Sequence, residues 1–370
     1  MKKTALIMAL LLSVMLLGLG CSKDKPAATN NTAGSSKTDA KGTLEQTTFA
    51  LGHLNSTSHL LAFVAAEEGF FKEEGLAVTL SQFSNAGELV SGLESGKLDA
   101  AFIGSVPLIT NQANGHAVSV FGGAMTNGHG YVIKKEFVTP DFKEGDITIL
   151  KGRNVASVQN SVQDLELQVL LKNASIEIGE GADKVNIVYF ASQKDAFNAF
   201  SGDEIDAVSV YSPYASIAKN AGSVVVYYCN ELEAIKNQPC CRQVALTTAL
   251  EEKPNTYTAF ERALLKAYKF SQENKQKTVE DVAKYITIDK SDIEYEVYGG
   301  HALSNPDPDK KATAALKKST VEFGYTQGKD YDLDKQYNTT IYKNALDQLI
   351  AENPNDTIYK QQLEYFSKAN

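Results

Sequence analysis

Residues 50–75 read ALGHLNSTSHLLAFVAAEEGFFKEEG, and this stretch decides the fold. Residues 49–51 have the character of a buried strand's end. A polar turn follows, with His53, Asn55, Ser56, Thr57, Ser58 and His59, and then an apolar helix through Leu60, Leu61, Phe63, Val64 and Ala65, closing near Gly69. A strand that ends in small polar residues and runs into a helix aims free backbone N–H groups at whatever lies in front of it. In open α/β sheets that edge binds small polar or anionic ligands. A capped helix without a ligand reads the same way from this stretch alone, so the neighbouring sequence decides.

Outward from it, residues 76–83 alternate like a strand, 85–95 form a short helix stopped by Gly96, and 98–103 form a strand reaching Gly104 and Ser105. Strand, helix, strand, helix, strand is the parallel α/β order. Residues 118–124 make a further strand, and 131–134 lead out of the unit. The plan then repeats. Residues 154–159 are a strand ending at Asn160 and Ser161, 163–172 a helix, 185–190 a strand, 191–200 a helix, and 205–210 a strand ending at Tyr211, Ser212, Pro213 and Tyr214. VTLSQFSNAGELVSGLESGKLDAAFIGSVP, residues 78–107, echoes VNIVYFASQKDAFNAFSGDEIDAVSVYSPY, residues 185–214. Each enters an Asp-Ala strand from a Ser-Gly step and places a serine just after it, Ser105 and Ser212. Two such units, joined by crossing strands and facing each other, build a cleft lined by matched polar turns. Residues 242–248 read as the returning strand, and the helical stretches 257–272, 279–286, 308–323 and 340–351 as cladding for the first lobe. The expected division is 1–20 as leader, 21–44 as tether, 45–132 with 243–370 as the first lobe, and 133–242 as the second.

With 370 residues, 43% of them apolar and 22% charged, the chain has ample core for two domains. Its net charge of -9 argues against nucleic acid and against a basic membrane-binding surface. The N-terminus has Lys2 and Lys3 and then an apolar core over residues 5–17, the plan of a secretory leader and too short for a comfortable span. It ends Leu17-Gly18-Leu19-Gly20-Cys21, which resembles a bacterial lipoprotein box in which the cysteine is lipidated and becomes the N-terminus. Gly18 departs from that pattern, where a larger aliphatic residue is usual. Residues 22–43, rich in Lys, Ala, Thr, Asn, Gly and Ser, read as a flexible tether. With Cys21 lipidated, Cys229, Cys240 and Cys241 remain, an odd number for an exported protein. A disulfide from Cys229 to Cys240 or Cys241 and a strained vicinal Cys240–Cys241 bond are both open. The cysteine spacing matches no zinc pattern, the five histidines lack a helical metal spacing, and neither HExxH nor GxSxG occurs. No metal, no cofactor and no enzymatic activity are therefore expected.

The runs Ala65-Ala66-Glu67-Glu68-Gly69-Phe70-Phe71-Lys72-Glu73-Glu74-Gly75-Leu76 and Ser91-Gly92-Leu93-Glu94-Ser95-Gly96-Lys97-Leu98-Asp99-Ala100-Ala101-Phe102 carry a family resemblance. The chain resembles the solute-binding proteins of bacterial ABC importers, in the family serving nitrate, taurine, alkanesulfonates and thiamine-pyrimidine precursors. The resemblance spans about residues 46–350, strongly to about residue 125 and loosely after 250. It implies a two-lobed α/β fold of the periplasmic-binding-protein type II, with a hinge of two crossing strands. It also implies closure on one small-molecule ligand and delivery to an ABC permease. The ATPase subunit would be a separate protein, since no GxxxxGK[ST] occurs here. A monomer, extracytoplasmic and anchored to the membrane by its N-terminal lipid, completes the expectation.

The family binds its ligand with turns that follow strands. By position this implies His53, Asn55, Ser56, Ser58, Gly104, Ser105, Asn127 and His129 from one lobe, and Gln159, Asn160, Ser161, Tyr211, Ser212 and Tyr214 from the other. Serine, asparagine and backbone N–H groups orient an oxyanion or an amide without a buried countercharge. Histidine adds charge if protonated or accepts a hydrogen bond if neutral. Tyr211 and Tyr214 either stack on a planar ligand or pack beneath the lobe. Arg242, one of three arginines with Arg153 and Arg262, is either a clamp for a sulfonate or carboxylate or a salt bridge at the surface or hinge. The pyrimidine branch has a cysteine-rich segment, of which this chain keeps only the Cys240-Cys241 pair. The expected ligand is therefore a sulfonate-, nitrate- or carboxylate-type anion, with a pyrimidine-precursor binder or a ligand-sensing lipoprotein as alternatives.

Overall fold

The computed structural model describes residues 42–370, which belong to one compact unit. The expected leader, Cys21 and all but the end of the tether lie outside the described residues. Eleven strands are formed among the described residues: β1 (Thr48–His53), β2 (Ala77–Gln82), β3 (Ala100–Gly104), β4 (Val118–Asn127), β5 (His129–Ile133), β6 (Arg153–Val158), β7 (Val185–Phe190), β8 (Ala207–Tyr211), β9 (Val224–Tyr228), β10 (Pro239–Leu246) and β11 (Ala302–Ser304).

They make two sheets, ordered β11-β4-β10-β3-β1-β2 and β7-β6-β8-β5-β9. In the first, β1 runs parallel to β2, from Thr48 beside Ala77 to His53 beside Gln82, and parallel to β3 at Leu51 beside Ala100. In the second, β6 runs parallel to β7, from Arg153 beside Val185 to Val158 beside Phe190, and parallel to β8 at Val155 beside Ala207. β10 then pairs antiparallel with β3, as β5 does with β8. The orders β2-β1-β3-β10 and β7-β6-β8-β5 are thus the same, so the echo in residues is an echo in topology.

The chain crosses between sheets twice. At the first crossing Asn127 and Gly128 both take left-handed backbone, with φ of 60° and 86°. That step ends the β4 ladder and turns the chain into β5, so strand pairing changes sheet four residues before the expected boundary at 132. A side chain at Gly128 would suffer the left-handed strain and would also meet the Met125 Cε at 2.2 Å. The second crossing lies between β9 and β10, and β10 already pairs in the first sheet from Pro239, ahead of the expected 243.

Helices clad both sheets. The 20-residue helix Pro254–Glu273 lays Phe260 against the first sheet, stacked on Phe49 with ring centroids 4.5 Å apart. Its opposite side carries Leu265, which packs with Tyr342, Leu346 and Leu349 of the helix Thr339–Glu352. Two further contacts tie the halves together beside the cleft. Val106 and Ile109 from helix Ser105–Ala113 meet Val162 and Leu165 from helix Val162–Asn173, with Leu316 and Tyr325 closing the cluster. The Tyr325 hydroxyl donates to Asp164 Oδ2 at 2.8 Å. On the other side, Glu296 accepts from the amide and hydroxyl of Ser216 and pairs with His301 at 2.9 Å.

Arg242 is fully buried in β10, donating to the Cys241 carbonyl at 2.9 Å with Asp309 at 3.9 Å. Asp307 lies in the same buried region, its Oδ1 accepting from the Asp309 amide and the Asn370 side chain, each at 2.7 Å. Burial pushes its carboxyl from 3.8 up to about 6. Such a group holds its proton more tightly folded than unfolded, so its contribution to stability is lost as pH rises from about 4 to about 6. At 1.36 kcal/mol per unit this is about 3 kcal/mol. Asp307→Asn is expected to flatten that slope in denaturant titrations between pH 4 and 7 and to exceed wild-type stability at pH 7. Glu261 is raised by burial in the same direction and adds to that slope.

Candidate functional site

A cleft of about 390 Å³ opens between the carboxyl ends of the parallel strands of the two sheets. It is built from turns that follow strands. After β1 come Leu54, Ser56, Ser58 and His59, and after β2 come Ser84, Asn85, Ala86 and Gly87. Gly104 ends β3, Pro107, Thr110 and Asn111 come from the helix that follows, and Asn114 caps its end. The second half supplies Gln159 to Gln163 after β6, Ala191 to Gln193 after β7, and Tyr211 at the end of β8. His129, Cys240 and Cys241 form the floor near the crossings.

The capping residues of the surrounding helices are themselves part of this lining. Asn85 accepts from the Glu88 amide, Ser161 from the Asp164 amide and Ser192 from the Asp195 amide, all as N-caps. Four helices of nine or more residues, Ala86–Glu94, Ser105–Ala113, Val162–Asn173 and Gln193–Ser201, therefore point their N-terminal turns at one space. A hydroxyl that accepts a capping N–H keeps its own proton to donate. Ser161 has that proton available, whereas Ser56 donates to the Ser212 carbonyl at 2.9 Å and Ser192 to Asp195 at 2.7 Å. No Asp, Glu, Lys or Arg lines the cleft. Partial positive charge at the helix ends, neutral donors and two imidazoles set its electrostatics.

Of the residues expected from sequence, Ser56, Ser58, Gly104, His129, Gln159, Asn160, Ser161 and Tyr211 line the cleft. The others do not. His53 ends β1 pointing into the core against Phe63; burial, its first cause, and the nearby His59 lower its pKa to about 4, so it is neutral at pH 7. Asn55 and Tyr214 hydrogen-bond each other through their side chains. Ser105, fully buried, starts its helix and stays out of the lining. Asn127 is spent on the left-handed crossing, where its amide donates to the Gln238 carbonyl at 2.9 Å. Ser212 bonds across to Thr57 and Ser56. Arg242 is a buried structural cation directed at Asp309, and the clamp expected of it is corrected accordingly.

The disulfide expectation is also corrected, because Cys229, Cys240 and Cys241 are free thiols. Cys240 and Cys241 have sulfurs 3.2 Å apart, against about 2.05 Å in a bond. The His129 ring stands between Cys240, 3.2 Å from its Nε2, and Cys229, whose sulfur accepts the His129 amide at 3.4 Å. Adjacent strand residues ordinarily face opposite sides. Here the β10–β4 register shifts on both sides of Cys241, a bulge that turns both thiols into the cleft. The hydrogen bond from Cys240 favours the Cys241 thiolate; burial opposes it and the His59 side chain assists. At His129, burial works against the charged ring, but Glu166 and Cys229 overcome it and hold the pKa well above its ordinary value.

Sequence reasoning missed Ser84 to Gly87, Ala191 to Gln193, Asn111, Asn114, His59 and the cysteine pair. The first two sets had a signal, since they occupy matching places in the 30-residue echo, one turn after β2 and the other after β7.

Residues 42–287 match the model of the NMT1-like family. A Bacillus subtilis protein named as a candidate binding protein, YtlA, is 25% identical over 255 residues, covering 66% of this chain and 73% of its own. Among solved structures, the periplasmic nitrate-binding protein NrtA from Synechocystis superposes with a TM-score of 0.68 at 17% identity, over 85% of this chain and 92% of that one. The periplasmic aliphatic sulphonate-binding protein SsuA from Escherichia coli gives 0.64 at 19% identity, over 79% and 92%. The fold is that of periplasmic binding proteins.

Proposed function

The chain belongs to the NMT1-like family, and from that premise we propose that it is the extracytoplasmic solute-binding component of an ABC importer. Its two halves close on one small anion of sulfonate, nitrate or carboxylate type and present it to a permease served by a separate ATPase. It binds and releases its ligand without turnover. The leader and Cys21 support anchoring by an N-terminal lipid, and among the described residues no helix is long and apolar enough to cross a membrane.

One observation carries this reading. Four helix N-termini and a set of neutral donors converge on a cleft that holds no formally charged Asp, Glu, Lys or Arg. Such a site stabilises a desolvated anion through oriented dipoles and hydrogen bonds. It offers a cation no carboxylate. The names of the structural neighbours, nitrate- and sulphonate-binding, agree with this chemistry.

A thermal-shift screen of the purified protein tests it. The panel contains taurine, alkanesulfonates, nitrate, bicarbonate, aromatic carboxylates and pyrimidines. A solute that binds only the folded state raises the melting temperature by mass action. At least one of the anions is expected to do so, and Asn111→Ala, on the cleft face of its helix, is expected to reduce the shift. A shift from pyrimidines alone would replace the anion with the pyrimidine-precursor alternative.

A further inference from the structure

Behind the cleft floor, three side chains from distant parts of the sequence converge. His129 opens β5, Cys229 follows β9, its neighbour in the sheet, and Glu166 lies in helix Val162–Asn173. All three are buried, and one donor atom from each lies within 4.8 Å of the other two. His129 Nδ1 is 3.1 Å from each Glu166 carboxylate oxygen. We propose that His129, Glu166 and Cys229 form a binding site for a divalent transition-metal ion of the zinc type.

The distances suit that ion. Bonds of about 2.0–2.3 Å to nitrogen, oxygen and sulfur place tetrahedral ligands roughly 3.2–3.6 Å from one another. The imidazole and carboxylate already stand close to that separation, so an ion seats between them with little movement. An imidazole nitrogen, a carboxylate and a thiolate select zinc, cobalt or iron over magnesium and calcium. A second observation points into the same space. Glu166 Oε2 is buried and makes no hydrogen bond of good geometry, with the His129 ring nitrogen 3.1 Å away. Buried polar atoms in native proteins are nearly always satisfied, and a cation beside Glu166 satisfies that oxygen.

Binding replaces protons. The ion displaces the proton of the Cys229 thiol and, when His129 is charged, the Nδ1 proton, so one or two protons are released per ion. Nε2 of the same ring remains 3.2 Å from the Cys240 sulfur. An ion held at Nδ1 therefore fixes the ring that forms part of the cleft wall. Glu166 and Cys229 lie 37 and 100 residues from His129, separations at which no short ligand-spacing motif operates. The sequence expectation of no metal rested on such motifs.

Cobalt titration of the reduced, metal-free protein without any anion ligand tests the site separately from the importer reading. The expected result is one equivalent bound, with a thiolate-to-cobalt charge-transfer band in the near ultraviolet. Cys229→Ser is expected to abolish the band, and Glu166→Gln to weaken cobalt binding about tenfold or more. The Cys240→Ser/Cys241→Ser double variant is expected to keep it. Should Cys229→Ser fail to fold, wild-type alkylation in mild denaturant followed by peptide mass spectrometry gives the same answer, since zinc is expected to slow alkylation of the otherwise buried Cys229 relative to the metal-free protein. A wild-type protein with no stoichiometric band, a band that survives Cys229→Ser but is lost in the double variant, or Cys229 left unprotected by zinc would overturn the proposal.

Discussion

Gln163→Glu lowers the affinity for an anionic ligand by about two orders of magnitude. Gln163 lines the cleft, is 3% exposed, and donates through Nε2 to Gln193 Oε1 at 3.0 Å. The replacement keeps its shape and adds a carboxylate to a lining that has none. At an effective dielectric constant of about 20 and a separation of about 5 Å, the repulsion is about 3 kcal/mol. That converts to about a hundredfold in Kd. Losing the bond to Gln193 costs about 1 kcal/mol whatever the ligand, so a neutral solute should weaken only severalfold. A cation should bind more tightly than to wild type. Calorimetric titration of both proteins with the solute found in the thermal screen reads the sign directly, and acidification that protonates the new carboxyl should restore part of the loss.

Gly123→Ala should be the most damaging single methyl group in the first sheet. Gly123 sits in β4, where its amide donates to the Pro306 carbonyl at 2.7 Å. A Cβ there would stand 2.1 Å from the Asp307 carbonyl oxygen and 2.6 Å from that of Asn305. Both obstacles are backbone, held by the hydrogen bond to Gly123 itself, so no flexible side chain can swing aside. Overpacking of this kind costs about 3 kcal/mol. Denaturant unfolding should show the midpoint falling at unchanged slope, and the melting temperature should drop by several degrees. Wild-type stability in this variant would mean that residues 305–307 are not seated against β4.

How much of this was legible in the sequence follows from what pattern reports. Strand and helix periodicity placed β7 at residues 185–190, and the repeat of residues 78–107 in 185–214 carried the shared sheet order. The short apolar run of β9 and the helix Thr357–Ala369 went unread, since neither carries a turn or motif that the repeat would flag. The rule that ligands meet the turns after strands led to eight residues that line the cleft. It failed where side-chain direction mattered. His53 ends its strand on the core side, while Ser105 and Ser212, partners in the repeat, are both buried and outside the lining. Arg242 drew attention as a scarce cation, yet strand parity at the bulge sends it away from the cleft and brings Cys240 and Cys241 in. The His129, Glu166 and Cys229 cluster depends on the lateral order of β5 and β9 and on the helix over them. Tertiary proximity of that kind leaves no mark in local spacing.

The central claim is that a cleft free of carboxylates, lysines and arginines and ringed by helix N-termini selects a small anion. Its most direct test is calorimetric titration of the purified protein with ethanesulfonate, nitrate and acetate, alongside ethylamine and a pyrimidine of similar size. Saturable binding of at least one anion at one site per chain, with none of the amine, is the result predicted. Binding of the amine or the pyrimidine, with no heat from any anion, would contradict it.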